Sequence, residues 1–166
     1  MRWSFVPRRA VSAASIFLGL GLAVVSAPTA VAASAAPAAK TTVTSTATRA
    51  RLLGTHALSL QWISWEHFGS ARVTDRDGQL HISGAQRLGG DSMTIDGDIT
   101  AVAATSFTFS GAISTTVSSN TGGKPCVRNG TYRFVVTGNR QYWRMRPIEN
   151  PCEDIADYVD VYFRRV

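Results

Sequence analysis

Residues 140–146 read "RQYWRMR", which places Arg140, Arg144 and Arg146 around Tyr142 and Trp143. A guanidinium is a planar fork of donors that fits carboxylate, sulfate or phosphate, and a nearby phenol adds a stacking surface and another hydrogen-bonding group. Arg133 and Tyr162 carry the same chemistry on neighbouring segments. Together Arg133, Arg140, Tyr142, Arg144, Arg146 and Tyr162 form a candidate anion-binding set, provided the backbone turns them to one face.

Strand periodicity supplies that test. "GTYRFVVT" alternates Tyr132, Phe134 and Val136 on one side, and Gly138-Asn139 is a good two-residue hairpin turn. Counting outward pairs Phe134 with Trp143 and Tyr132 with Met145 on an apolar face. The opposite face pairs Val135 with Tyr142, Arg133 with Arg144 and Thr131 with Arg146. An antiparallel last strand, "YVDVYF", adds Val159, Val161 and Phe163 to the first face, and Tyr158, Asp160, Tyr162 and Arg164 to the second. Burying a large apolar side chain contributes roughly 1.5–3 kcal/mol, so the apolar face must look inward and the arginines outward. Arg133 opposite Arg144 is then an unfavourable like-charge pair unless something neutralises it. Asp160 is one candidate partner, with Asp157 and Glu149 as others; an anion held between the arginines is the alternative.

The remaining elements agree with this frame. "ALSLQWIS", "QLHIS" and "SFTFSGAI" alternate with the same period, separated by Gly, Asn and Asp. The fold class read from this pattern is all-β: a single small antiparallel barrel, lipocalin-like, or a sandwich, with about eight or nine strands. The barrel is preferred because closure removes exposed sheet edges. "DRDG" at 75–78 is expected to turn one hairpin, and a three-residue loop at Asp96-Gly97-Asp98 another. Trp62 falls in phase with the core, whereas Trp65 is expected at a rim, where it could stack on a ligand.

Two local resemblances bear on this surface. Arg140-x-Tyr142 on a late strand is similar to the Arg-x-Tyr pair that holds a carboxylate in intracellular fatty-acid-binding proteins, which implies an amphipathic ligand. In that family the pair points into the barrel, whereas the alternation here gives the inside to apolar residues. "GTHALSLQW", opening an antiparallel domain, resembles the start of a lipocalin-type barrel without its usual Gly-x-Trp. Neither covers enough of the chain to assign a family.

The N-terminus indicates a compartment. Arg2, Arg8 and Arg9 precede the uncharged stretch "AVSAASIFLGLGLAVVSA", and Ala30-Val31-Ala32 fits the small-x-small pattern of a cleavage site. Residues 1–32 are read as a signal peptide, leaving no stable membrane span after processing and placing the domain in the periplasm or outside the cell. The Ala/Thr/Ser-rich stretch 33–50 is expected to be a disordered linker, and 51–166 the all-β domain. The formal charge of +6 includes the three signal arginines, and without them the excess falls to +3. That excess is small for a nucleic-acid partner, which is disfavoured. Cys126 and Cys152 are the only cysteines, and in an oxidising compartment an even count reads as one disulfide, worth about 3.5 kcal/mol by loop-closure entropy.

No catalytic or metal signature stands out. His56, His67 and His81 lack metal-ligand spacing, "DRDG" lacks the glycine and the acidic twelfth position of a calcium loop, and no P-loop or nucleophile-elbow motif is present. No cofactor is implied. The expected function is an exported, non-enzymatic binding module. It would hold a small amphipathic ligand in a barrel or an anionic partner on the arginine/tyrosine face; the alternative is an envelope interaction protein without a small ligand.

Overall fold

A computed structural model describes residues 39–163; the expected signal peptide and Arg164 lie outside them. Ten elements follow in order: β1 (Thr42–Val43), α1 (Thr46–Leu52), β2 (Gly54–Leu60), β3 (Gly69–Arg76), β4 (Gln79–Leu88), β5 (Asp91–Val102), β6 (Ser106–Thr116), β7 (Cys126–Val135), β8 (Tyr142–Arg146) and β9 (Val159–Tyr162). Strands β5-β4-β3-β2-β9-β8-β7-β6 are successive antiparallel neighbours, and pairing of β5 with β6 closes them into an eight-stranded barrel. β1 lies outside the closed ring, parallel to β5.

The alternation read from the sequence gives the barrel its inside. Leu58, Leu80, Ile82, Ile95, Phe107, Phe109, Phe134, Trp143, Val159 and Val161 are all essentially buried in one continuous core. An eight-stranded barrel is just wide enough for side chains to fill it. Phe107 and Phe134 stack with ring centroids 4.7 Å apart, and Trp143 meets Phe107 edge-on at 5.7 Å.

Two expectations about turns and termini are corrected. Asp96-Gly97-Asp98 is no turn but the middle of β5, with Gly97 facing Gly111 of β6. A Cβ on Gly97 would come within 2.6 Å of the Gly111 Cα and 2.7 Å of the Phe109 ring, so glycine is needed there for close approach inside a curved wall. The β4–β5 turn is instead Gly89-Gly90, between the paired Leu88 and Asp91, with Gly89 at φ 59°. "DRDG" does turn a hairpin, through Asp77 and Gly78, both at positive φ.

The stretch expected as a disordered linker also carries structure, since residues 42–50 contribute β1 and most of α1. α1 is too short to stand alone and is held by tertiary contacts. Ser45 caps it by accepting from the Thr48 amide, Thr48 Oγ1 donates to the Ala104 carbonyl at 2.8 Å, and Leu52 enters the core. Just upstream, Thr41 Oγ1 donates to the Ile99 carbonyl and accepts from the Leu80 amide. Hydroxyls satisfying backbone groups at the barrel end, together with Val43, Leu52 and Leu53 packed on the core, anchor this segment.

The two ends of the barrel are closed differently. At one, α1 lies beside the β3–β4, β5–β6 and β7–β8 turns. At the other, loops 61–68 and 147–158 fold over the opening, and the Cys126–Cys152 disulfide joins the second loop to β7.

Candidate functional site

The arginine face begins with the register of β7 and β8. Arg133 pairs with Arg146, Phe134 with Met145 and Val135 with Arg144. The expected pairing of Arg133 with Arg144 is therefore corrected by two positions. The connection is a six-residue loop, 136–141, rather than a two-residue turn, because Val136 bonds the Thr105 carbonyl and Gln141 accepts from the Phe163 amide. A shift of two leaves every side chain on its expected face.

Arg144 is neutralised. Opposite it on β9 stands Asp160, which accepts from Arg144 Nε at 2.8 Å and Nη2 at 2.7 Å. Asp160 is fully buried and Arg144 is 8% exposed, although both project from the outer wall. The guanidinium lies 4.0 Å over the Tyr158 ring and 5.2 Å from that of Tyr142, so aromatic faces cover the pair. The hydrogen bonds that Arg144 donates to Asp160 raise its pKa against the cost of burial. Burial pushes the Asp160 carboxyl above the usual carboxylate range, with Arg144 opposing it. Tyr162 packs against Tyr142 at 5.1 Å and edge-on against Phe68 at 5.0 Å, and burial raises its phenol pKa. This wall is a small second core outside the barrel.

The other expected site residues are dispersed. Arg133 is exposed, donates to Ser106 Oγ at 3.2 Å and faces Arg146 across the ladder. Arg140 leaves the wall for the barrel end, where it donates to Thr137 Oγ1. Trp65 is 51% exposed in the loop at the opposite end. Trp62, expected in the core, is instead 38% exposed, because the chain turns immediately after β2; its Nε1–H bonds the Ala156 carbonyl and Asp157.

Sequence reasoning missed two further groups. Beside α1 an open cleft of about 370 Å³ is lined by Arg51, Thr105, Asn139, Arg140, Gln141, Trp143 and Phe163, with no carboxylate side chain among the described residues of its lining. Trp143 and Phe163 meet at 4.3 Å, and the Arg51 guanidinium sits 4.7 Å over the Phe163 ring. The buried Trp143 Nε1–H has no acceptor among the described residues. Next to the cleft, His56 is fully buried, its ring nitrogens 2.7 Å from the Leu52 carbonyl and 2.9 Å from that of Tyr162. At the far end Arg128 reaches from the interior to Asp157, an ion pair buried on both sides, and Asn150 also donates to Asp157. Arg128 is in phase with Tyr132 and Phe134, so the alternation already marked it as inward. Arg51 gave no such signal, because only α1 brings it to the barrel end.

Among the described residues, His81 contacts Asp98 at 2.9 Å and Asp96 at 3.6 Å, yet no group of three or more His, Cys, Asp or Glu side chains is placed to hold a metal.

The PM1083 family matches residues 40–163. The chain belongs to the PM1083 family. A relative named "Uncharacterized protein PM1083", from Pasteurella multocida (strain Pm70), is 41% identical over 113 residues, covering 68% of this chain and 74% of the relative. No solved structure matches. The matched range takes in β1 and α1, so the PM1083-family domain includes the segment that forms one wall of the cleft. No helix among the described residues is long and apolar enough to cross a membrane.

Proposed function

We propose that this domain is an exported, non-enzymatic binding module that takes a small ligand in the cleft beside α1. The observation that carries the reading is the cleft itself. It combines two arginines and the half-buried Phe163 ring, with no carboxylate among the described residues of its lining, at the end of a barrel whose centre is filled by side chains. A filled barrel moves any ligand from the lumen, where a lipocalin-like carrier would hold it, to the mouth. The outer arginine/tyrosine wall is a weaker candidate, because Asp160 already satisfies Arg144. Export is supported by the N-terminal signal pattern and by a disulfide in the folded domain.

Native mass spectrometry of the protein purified from its exporting host tests this reading. The expected result is an added mass that leaves on unfolding and is absent from an Arg51→Ala/Arg140→Ala variant. A bare chain that also captures nothing from a small-molecule extract would contradict it.

A further inference from the structure

We infer that the ligand of the cleft is a small aromatic carboxylate, its carboxyl group held by Arg51 and Arg140 and its ring packed against Phe163. This rests on the cleft being the binding site, and it deepens that reading by naming the ligand's chemistry.

Charge fixes one end of the ligand. Neither Arg51 nor Arg140 has an ion-pair partner among the described residues, whereas Arg49, Arg128 and Arg144 each engage an aspartate. Arg51 is held only by its place over the Phe163 ring, and Arg140 by Thr137 and by the Tyr142 ring 5.7 Å away. Two guanidinium groups on one acid-free cleft favour an anion, and planar forks suit a carboxylate.

The floor fixes the other end. Trp143 is almost fully buried in the wall, and the half-buried Phe163 meets it edge-on at 63°, so Phe163 is the aromatic ring that the cleft presents. Aromatic rings pack on one another by offset or edge contacts, which suits a ring in the ligand better than a polar body.

Size excludes the longer amphiphiles. A cleft of about 370 Å³ is near the lower end of small-molecule sites. A long acyl chain would have to continue into the lumen, which Phe107, Phe109 and Phe134 fill. One ring on a short acid-bearing arm fits the space; a membrane lipid or long-chain fatty acid does not.

Isothermal titration of the intact protein with four probes tests the inference: 3-phenylpropionate, its neutral amide, inorganic phosphate and palmitate. The expected result is that 3-phenylpropionate binds and the other three bind at least tenfold more weakly. Arg51→Gln and Arg140→Gln should each weaken 3-phenylpropionate about tenfold, with thermal melting unchanged because both side chains are exposed. Equal binding of the amide would overturn the role of the charge, and equal binding of phosphate the role of the ring. Tighter palmitate would overturn the size limit. Each of these three results leaves the cleft as the site if the two variants still weaken the probe that binds. Binding that both variants leave untouched would overturn the cleft itself.

Discussion

Arg144 and Asp160 stand directly opposite each other on β8 and β9, joined by two hydrogen bonds of 2.8 and 2.7 Å on the outer wall of the barrel, and Asp160 is inaccessible to solvent. The pair neutralises Arg144 under Tyr142 and Tyr158, and the like-charge contact of this face falls instead on Arg133 opposite Arg146.

Replacing Arg144 should therefore be costly. Arg144→Thr leaves a buried carboxylate without its partner, and breaking a buried pair from one side costs roughly 3–5 kcal/mol. The loss should be largest at neutral pH and shrink in acid, where Asp160 takes up a proton and loses its charge. Urea denaturation at several pH values reads both effects. A loss below about 1 kcal/mol at neutral pH would show the pair to behave as an ordinary exposed one.

Tyr162 predicts an alkaline effect. Its phenol pKa is raised by burial, so the folded protein keeps this proton to higher pH than the unfolded chain does. Stability from this group is complete below the ordinary tyrosine pKa of 10.0 and is lost as pH rises through the folded value. Tyr162→Phe should flatten that alkaline limb in thermal melts taken across the range. An unchanged slope would mean that Tyr162 ionises equally in both states.

The far end of the barrel gives a third test. Asp157→Ala leaves Arg128 buried without its carboxylate, and the cost should again be roughly 3–5 kcal/mol. Because Asp157 also bonds Trp62 and Asn150, amide exchange should quicken across both loops, 61–68 and 147–158. Faster exchange in only one loop would contradict the shared anchoring.

The disulfide secures the same end. Cys126→Ser/Cys152→Ser should lower stability by about 2–5 kcal/mol, as is typical of a disulfide in a small exported domain. The arginine cleft lies at the opposite end and should keep its ligand affinity in this variant. Loss of affinity with the fold intact would link the two ends.

How much of this was legible in the sequence depended on what held each part in place. The alternation of Phe107/Phe109, Tyr132/Phe134 and Val159/Val161 gave the inner face of β6, β7 and β9, because one buried side leaves a period of two. Arg144 and Asp160 could be placed on one face for the same reason. The β7–β8 register could not be read, since it depends on Val136 bonding Thr105 across the barrel end. Gly97 looked like a turn because its lack of a side chain serves curvature here, a demand set by Phe109 and Gly111 and invisible locally. α1 was hidden because Thr48 and Leu52, not a periodic stripe, fix it. The cleft depends on α1 and on the β7–β8 loop, so it was hidden with them.

The central claim is that the ligand sits beside α1. Mapping chemical-shift changes of backbone amides and the Trp143 indole N–H during titration with 3-phenylpropionate tests it most directly. The account predicts changes confined to Arg51, Ala104, Thr105, residues 136–143 and Phe163. Changes centred on Tyr158 and Tyr162, on the interior of β4 to β6, or nowhere would contradict it.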